Sequence, residues 1–475
     1  MVAPKLLSDA QVQRFISDGY ILVDTDGDAP VHRHIYYALE EVFAREGNIG
    51  NNILPRIPDI TKVFNHPNMR GALQSLVGHD YILNPHRHCH LNPPGSKGQT
   101  WHKDCYVFDH NMRQPRFHWL LALYYPQDVS EDMGPTGILP GLQNWETISD
   151  PDPQACREEA LSLTGRAGTV ALVHFDSWHR AMPNLSTNKR YMLKFQFARM
   201  QRPMAPTWDC HGTEWTPDDI HPEVSLDVWN WLCGKKSTQA AAADAATELK
   251  KLTQGSENER LRAAYSLCGT GRNVVTQLLY MLRAEARAVE SRVEAKTADN
   301  AHGTNPTALR AAQALVAIGP TALPQLIDAL ADDHWLVRTA VADIFATLGA
   351  PAAPAVAALS ERLADDHWWV RRGAAEALGR IGAAARSTVP DLVCALSDTD
   401  SRVRRATLLS LAQLRTYADG AEDALCEILA DEDRYNRFHA INALRRIDHP
   451  NTRDALLDAL FTARWCPITT AESMY

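Results

Sequence analysis

The stretch LADDHWLVRTAVADIFATLG, residues 330–349, returns 33 positions later as LADDHWWVRRGAAEALGRIG, residues 363–382. Two further steps of the same length lead to LSDTDSRVRRATLLSLAQLR and LADEDRYNRFHAINALRRID. Four columns persist through the copies: an initial leucine, an aspartate, an arginine and a late aliphatic residue. A period of this length, with room for two helices in each copy, predicts a solenoid in which each unit packs against the next.

The apolar spacing inside the copies indicates a helix. Val337, Val341, Ile344 and Leu348 are separated by four, three and four positions, which places them on one helix face. The copies resemble HEAT-like repeats, a resemblance that implies an aspartate at the turn before a helix and an arginine in that helix, bonded to the neighbouring copy. We therefore expect a structural role for two columns, which comprise Asp332, Asp365, Asp398 and Asp431, and Arg338, Arg371, Arg404 and Arg437.

Two more diverged copies, ENERLRAAYSLCG and PTALRAAQALVAIG, precede these four. The alanine-rich helical part of the chain is therefore predicted to be an all-α HEAT-like solenoid over residues 237–460, followed by a tail at 461–475. Residues 201–236 contain four prolines among tryptophans, which predicts a linker, or a lid that folds back on the preceding domain.

Bulk properties narrow the class of protein. The 475 residues are 45% hydrophobic and 22% charged, which is typical of a globular chain with two or three domains. A net charge of −9 argues against nucleic acid or a membrane surface as a partner. Nine scattered cysteines without a C-x-x-C pair indicate reduced thiols, and the N-terminus lacks the apolar run of a signal peptide. These features predict a cytoplasmic protein without a membrane span.

Residues 1–200 mix short helical and strand-like stretches. In LLSDAQVQRFISDGYILV, Ser8 is placed to cap a short helix that ends at Gly19 and leads into an apolar strand. Further strands are predicted at FHWLLALYYPQDV (117–129), GTVALVHF (168–175) and RYMLKFQFAR (190–199). Strands at such intervals, separated by turn signals, fit an all-β sandwich or barrel.

The segment TWHKDCYVF, residues 100–108, places His102 and Asp104 two positions apart. Side chains i and i+2 of an extended segment point the same way, so both can reach one metal ion. Fe(II) in oxygenases is often held by two histidines and one carboxylate on one face. The third ligand is expected downstream, at His179 or, as an alternative, at His174 within the preceding strand.

An arginine eleven positions after His179 completes the pattern. The guanidinium fork of Arg190 is suited to hold the far carboxylate of 2-oxoglutarate with two hydrogen bonds. WHKD, GPTGILPG and the spacing H-x4-N-x5-R together resemble the phytanoyl-CoA dioxygenase family of Fe(II)- and 2-oxoglutarate-dependent oxygenases, over about residues 10–200. The resemblance implies a double-stranded β-helix, the jelly-roll or cupin-like fold, so the whole chain is predicted to be an α+β multidomain protein.

Matched residue by residue, the family implies His102, Asp104 and His179 as iron ligands and Arg190 as the 2-oxoglutarate clamp, with Asn184 as the family asparagine between them. Fe(II), 2-oxoglutarate and O2 are the implied cofactor and co-substrates. Related halogenases lack the carboxylate ligand. Because it is present here, hydroxylation or another oxidation such as desaturation is expected.

The chain departs from the family pattern at two places. Leu142 and Gln143 stand where members often have Ser-His, and Ala181 stands where a hydroxyl residue often follows the distal histidine. Both changes concern secondary contacts of the co-substrate.

Several other residues are predicted to line the pocket. The stretch NPHRHCHLN puts alternate histidines on one strand face, which could line the pocket or form a second metal site. The predicted co-substrate contacts are Gln99 and Trp119, and the predicted substrate contacts are His88, His90 and Tyr106.

The favoured prediction is a dioxygenase that oxidises a small-molecule or carrier-tethered metabolite in secondary metabolism, with the repeats binding substrate or a protein partner. One alternative is a HEAT-repeat interaction scaffold with a degenerate barrel. Another is a protein or peptide hydroxylase whose solenoid presents the polypeptide. The intact set of three ligands and one clamp favours an enzyme.

Overall fold

The computed structural model of the protein describes residues 2–27, 29–104, 113–146, 148, 159–212, 214–235, 244–269, 271–298 and 309–461. The described chain divides into two compact units. The first contains residues up to 104 and residues 115–235, and the second contains residues 113–114 together with the described residues from 244 to 461. The order of a β-rich unit followed by a helical unit is the predicted one.

Among the described residues, the first unit contains nine strands and six α-helices. The strands are β1 (Tyr20–Asp24), β2 (Ile82–Leu83), β3 (His88–Asn92), β4 (Trp119–Tyr124), β5 (Thr136–Ile138), β6 (Leu161–Leu163), β7 (Thr169–His174), β8 (His179–Ala181) and β9 (Arg190–Ala198). The helices are α1 (Asp9–Asp18), α2 (Pro30–Arg45), α3 (Ile53–Arg56), α4 (Ile60–Phe64), α5 (Pro67–Val77) and α6 (Pro222–Leu232), with a 3-10 turn at Gly50–Asn52.

The strands form two antiparallel sheets. The larger sheet has the order β1-β7-β4-β9-β2, with β3 paired to the same strand, β9, as β2. The smaller sheet has the order β6-β5-β8. Strands β4 and β9 are buried along their whole length, as expected for the centre of a sheet that is covered on both faces.

Alternation along these strands separates an outer from an inner face of the larger sheet. On the outer face, the Tyr124 hydroxyl lies 2.8 Å from Nδ1 of His32 in α2. Phe195 packs there against Phe64 of α4, with ring centroids 4.4 Å apart. Leu123 and three alternate residues of β9, Arg190, Met192 and Lys194, lie on the inner face, where they line a cavity.

Local sequence signals explain how the first unit begins. Ser8 caps α1 through a reciprocal capping box with Gln11, and the helix ends at Gly19, whose φ of 77° a side chain would disfavour. Both helix ends are as predicted. The chain then enters β1, whose residues pair along β7.

Residues 201–235 pack against α1 and β4 rather than forming an extended connection. Trp229 of α6 is fully buried and lies 5.1 Å, centroid to centroid, from Trp208. The Trp208 indole N–H donates to Asp9 at 2.6 Å. Arg116, just before β4, makes two hydrogen bonds of 2.9 and 2.8 Å to the Asp227 carboxylate.

The second unit is helical throughout its described part. Its α-helices are α7 (Ala245–Gln254), α8 (Glu257–Ser266), α9 (Arg272–Ala298), α10 (Arg310–Ile318), α11 (Leu323–Ala329), α12 (Trp335–Leu348), α13 (Val356–Arg362), α14 (Trp368–Ile381), α15 (Val389–Ala395), α16 (Ser401–Leu414), α17 (Glu422–Glu427), α18 (Arg434–Ile447) and α19 (Pro450–Phe461). Short 3-10 turns separate several of these helices, at Leu267–Gly269, Gly319–Ala322, Ala350–Ala355, Gly382–Thr388, Arg415–Ala418 and Ile428–Ala430.

Each repeat bonds to the next through the aspartate and arginine columns. Arg338 donates two hydrogen bonds of 2.8 Å to Asp365 of the following repeat, and also donates to the carbonyl of Asp332 in its own repeat at 2.9 Å. Arg371 bonds Asp398 in the same way. The columns are therefore structural, as predicted. None of the helices in the described part of the chain combines the length and apolar character that a membrane span requires.

Candidate metal centre

The two histidines predicted as ligands are backbone partners across two segments of the first unit. The amide of His102 donates to the carbonyl of His179 at 3.1 Å, and the amide of His179 donates back at 3.0 Å. Their ring centroids lie 4.5 Å apart. An antiparallel bridge thus places side by side two residues that are far apart in sequence, and points both side chains to one face.

Backbone carbonyls fix the tautomer of both rings. Nδ1 of His102 lies 3.0 Å from the carbonyl of Thr100, and Nδ1 of His179 lies 3.0 Å from the carbonyl of Ser177. A carbonyl can only accept, so each Nδ1 carries a hydrogen, and in the neutral ring the lone pair is on Nε2. That is the state in which a histidine binds a metal ion.

Asp104 supplies a carboxylate to the same place. Its Oδ2 lies 3.8 Å from Nε2 of His179, and the candidate donor atoms of His102, Asp104 and His179 all lie within 4.8 Å of one another. Two imidazoles and one carboxylate on one face match the donor set that binds Fe(II) in oxygenases and leaves positions open for reactants. The three residues therefore fit the metal that the sequence predicts.

The charges of the site suit metal binding. Burial would raise the pKa of Asp104, but the Lys194 ammonium, 2.9 Å from Oδ2, holds that pKa well below its usual range. Burial lowers the pKa of His179 to about 4, against the opposing effect of Asp104. At neutral pH the carboxylate is ionised and this imidazole is neutral, as metal ligation requires.

Two cation–π pairs flank the pairing of His102 with His179, the histidine bridge. Trp-His-Lys at 101–103 runs antiparallel to Trp-His-Arg at 178–180, so each tryptophan lies opposite the cation of the other segment. The Arg180 guanidinium lies 4.7 Å from the Trp101 ring centroid, and Lys103 Nζ lies 5.2 Å from that of Trp178. These pairs stabilise the strand register in which His102 lies opposite His179 and both side chains line the cavity.

A cavity of about 240 Å³ lies in front of the two histidines and is lined by both sheets. Arg190, the first residue of β9, reaches it with a side chain that is 1% exposed. Its Nε donates to the carbonyl of Gly134 at 2.9 Å, whereas the buried Nη1 has no hydrogen-bond partner in the described part of the chain. Burial lowers the pKa of Arg190, although a guanidinium keeps its charge at neutral pH.

Two lining residues were not predicted from the sequence. Thr136 of β5 is buried, and its Oγ1 has no partner among the described residues. The sequence signal was a hydroxyl residue within the motif GPTGILPG. Lys194 stands four positions after Arg190, and the alternation of β9 places both on the cavity face.

The remaining predicted contacts divide into three groups. His90 and Gln99 line the cavity, and Nε2 of His90 is buried without a partner in the described chain. His88 and Trp119 are not among the cavity-lining residues that the structure describes. Tyr106 lies outside the described residues.

His174 and Asn184 have other surroundings. His174 is buried at the end of β7 and accepts from the amide of Asp176 at Nδ1, and it does not belong to the donor set of the described site. The Asn184 side-chain amide donates to the carbonyls of Asn92 and Asn188, each at 2.9 Å. It thereby shapes the turn that leads to Arg190.

Comparison with known proteins identifies both units. Residues 1–192 match the family model of phytanoyl-CoA dioxygenase (PhyH), and residues 301–379 and 356–425 match HEAT repeats. Both predicted resemblances are confirmed, and with them a cupin-like oxygenase fold followed by a HEAT-like α-solenoid. The matched family uses Fe(II) and 2-oxoglutarate, the predicted cofactors, and His102, Asp104 and His179 of the first unit could hold the metal ion.

Several solved structures are similar to the first unit. The non-heme alpha ketoglutarate dependent carbocyclase SnoK from nogalamycin biosynthesis is 17% identical, with a TM-score of 0.34, and the match covers 42% of this chain and 88% of that one. The epimerase SnoN, in complex with Fe3+, alpha ketoglutarate and nogalamycin RO, is 18% identical, with a TM-score of 0.34 and coverage of 41% and 84%. EctD from S. alaskensis, with 2-oxoglutarate and 5-hydroxyectoine, is 16% identical, with a TM-score of 0.36 and coverage of 50% and 92%. No curated protein sequence matches the chain.

Proposed function

We propose that this protein is an Fe(II)- and 2-oxoglutarate-dependent dioxygenase that hydroxylates, or otherwise oxidises, a small-molecule or carrier-bound metabolite in secondary metabolism. The observation that carries the proposal is one cavity that is lined by two of the three metal donors and by two buried donors without a partner among the described residues. These donors are Nη1 of Arg190 and Oγ1 of Thr136. A carboxylate accepts hydrogen bonds only, so the distal carboxylate of 2-oxoglutarate would satisfy both.

Each site residue has a distinct role in this proposal. His102 and His179 hold the metal through Nε2, and Asp104 holds it through a carboxylate oxygen. When bound, Fe(II) with 2-oxoglutarate and O2 supplies the oxidant that removes a hydrogen atom from the substrate. Arg190 orients the co-substrate. The neutral imidazole of His90, whose pKa burial holds well below its usual value, offers one hydrogen bond to a substrate or co-substrate.

The solenoid supports a second role, the binding of substrate or of a protein partner. The match to HEAT repeats is the observation that favours it, because such arrays present extended binding surfaces. The protein-hydroxylase alternative follows if the bound partner is itself the substrate.

Metal binding tests the ligand assignment. Anaerobically purified protein should bind about one Fe(II), and Asp104→Ala or His179→Ala should weaken binding by about a hundredfold or more, because each removes one of three protein ligands. His174→Ala is the matched control, a buried histidine five positions before His179, and it should retain Fe(II) affinity. Calorimetric titration of Fe(II) measures all three, and full affinity in both ligand variants would reject the triad.

Co-substrate dependence tests the clamp separately. Arg190→Lys keeps a positive charge but loses the planar fork, so the concentration of 2-oxoglutarate needed for half-maximal turnover should rise by about tenfold or more while Fe(II) affinity stays within about twofold. An unchanged requirement for 2-oxoglutarate would place the clamp at another residue.

A further inference from the structure

Tyr125 lies on the inner face of the larger sheet, where its hydroxyl is hydrogen-bonded to Thr136, a residue that lines the cavity. It follows β4 directly, and its backbone continues the pairing of that strand, because its amide donates to the carbonyl of Thr169 at 3.1 Å. Since side chains alternate along a strand, Tyr125 shares a face with Leu123, which lines the cavity. Its neighbour Tyr124 lies on the outer face. Both tyrosines are fully buried.

The hydroxyl of Tyr125 is only half satisfied. Its oxygen accepts a hydrogen bond from the backbone amide of Thr136 at 3.0 Å. In the described part of the chain, its proton has no acceptor. A phenol is both donor and acceptor, and a buried donor that is left unpaired is destabilising. This proton is therefore available to a ligand.

Three donors converge on the motif GPTGILPG. The Tyr125 oxygen is held at the Thr136 amide, the Thr136 hydroxyl is itself unpartnered, and the Arg190 guanidinium is anchored on the carbonyl of Gly134, two residues earlier. Tyr125 is also close enough to Arg190 to oppose the effect of burial on the pKa of that guanidinium. A phenol and a guanidinium are thus bonded to this motif next to its own free hydroxyl, within the part of the chain that the structure describes.

We propose that Tyr125 donates its hydroxyl proton to the distal carboxylate of 2-oxoglutarate and, with Thr136 and Arg190, makes this subsite selective for a carboxylate over a carboxamide. The inference rests on the proposed function. A carboxylate offers acceptors to every donor in the subsite, whereas the amino group of a carboxamide would set donor against donor. Sites that leave buried polar groups unpaired reject such analogues strongly.

The test compares Tyr125→Phe with Tyr124→Phe in the full-length, Fe(II)-loaded protein under anaerobic conditions. Tyr125→Phe should weaken binding of 2-oxoglutarate by about tenfold to a hundredfold, because one hydrogen bond to a charged group is lost. Tyr124→Phe, whose hydroxyl bonds His32 on the opposite face, should bind 2-oxoglutarate as the wild type does. Titration calorimetry gives both affinities, and Fe(II) affinity without co-substrate should be the same in the three proteins.

Selectivity supplies a measurement that needs no variant. Wild-type protein should prefer 2-oxoglutarate to its C5 carboxamide, and Tyr125→Phe should reduce that preference. Equal binding of acid and amide by the wild type, or 2-oxoglutarate affinity of Tyr125→Phe within twofold of wild type, would overturn the role of Tyr125. Equal losses in the two Phe variants would also overturn it, since they would reflect packing. A wild type that binds Fe(II) but no 2-oxoglutarate would instead reject the proposed function.

Discussion

Lys194 balances the charge of the carboxylate in the metal site. Its ammonium lies 2.9 Å from Asp104, and both side chains are less than 10% exposed. A buried carboxylate without a counter-ion is costly, and breaking a buried ion pair typically destabilises a protein by about 3–5 kcal/mol. Lys194 thus supplies, beside Asp104, positive charge of the kind that a bound divalent ion would also supply.

The variant Lys194→Met should therefore make stability depend on metal. It should lower the thermal midpoint of the metal-free protein, and a divalent ion should restore more of that loss than it adds to the wild type, because binding returns positive charge to Asp104. Arg56→Met is the control. That arginine pairs with Glu46 at 2.8 Å, and neither residue lines the cavity or belongs to the metal donor set, so its loss should be the same with and without metal. Equal metal-induced shifts in Lys194→Met and wild type would contradict the prediction.

Strand position explains why some predicted pocket residues do not line the cavity. Trp119 has the same parity on β4 as Leu123, so alternation alone allows it to face the interior. It stands at the opposite end of the strand, however, paired with Ala198, and four residues of extended chain separate it from Leu123 by about 13 Å. His88 likewise stands two residues before His90, at the start of β3, and its Nε2 lies 3.1 Å from Nδ2 of Asn48.

The iron ligands could be predicted because residue type, spacing and family motif agree. Tyr125 and Thr136 could not, since their importance depends on a hydroxyl that lacks a partner in the folded chain. A sequence shows which groups can donate hydrogen bonds, but only the fold shows which of them remain unsatisfied.

At the scale of elements, the histidine bridge is held by its two cation–π pairs. The strand β8 is only three residues long, so few ladder bonds fix its register. A slip of β8 by one residue would turn His179 to the face opposite His102. The tryptophan and cation on either side of each histidine oppose such a slip, because the slipped register would separate both pairs.

A double-mutant cycle on Trp101→Leu and Arg180→Met measures this contribution. The coupling in the free energy of unfolding should be about 0.5–2 kcal/mol, the range for a partly desolvated cation–π pair. Each single variant should also weaken Fe(II) binding, although neither side chain is a ligand. Additive effects on unfolding, combined with unchanged Fe(II) affinity, would show that the pair does not position the histidines.

In the solenoid, a ladder of arginines and aspartates fixes each repeat against the next. Arg371 makes hydrogen bonds of 2.6 and 2.9 Å to Asp398 and donates to the carbonyl of Asp365 in its own repeat. Arg404 repeats the arrangement one repeat later, with Asp431. The position 33 residues after Asp431 is Arg464, so the aspartate column ends there. The conserved columns of the repeats, through their resemblance to HEAT-like repeats, predicted this ladder, in which each repeat bonds to its neighbour.

Arg371→Ala should destabilise the solenoid by about 3 kcal/mol, because it removes a bidentate pair whose carboxylate is 8% exposed and leaves Asp398 without that partner. Arg386→Ala, at an exposed arginine in the adjoining 3-10 turn, should change the unfolding free energy by no more than about 0.5 kcal/mol. Urea unfolding followed by circular dichroism distinguishes the two. Similar values for both variants would show that the ladder contributes little.

At the scale of the whole molecule, composition shows a change of character near residue 200 but does not assign residues 201–236. Prolines and tryptophans in this segment fit either a linker or a folded-back lid. In the structure, the segment carries α6 and buries Trp229 beside Trp208, with Asp227 bonded to Arg116. Its tertiary contacts involve residues distant in sequence, and local patterns do not encode such contacts.

The first unit contains, within residues 1–236, all the strand pairs and metal donors that the structure describes. We therefore expect a fragment of residues 1–236 to fold and to bind Fe(II), since a domain of this size can bury its own core. If the solenoid captures substrate, the fragment should turn over the true substrate more slowly while it continues to decarboxylate 2-oxoglutarate without substrate.

Succinate formation, measured over a metabolite library with the fragment and with the full chain, follows both reactions. An insoluble or iron-free fragment would make the solenoid part of the catalytic fold. Equal substrate turnover by fragment and full chain would assign the repeats to a partner other than the substrate.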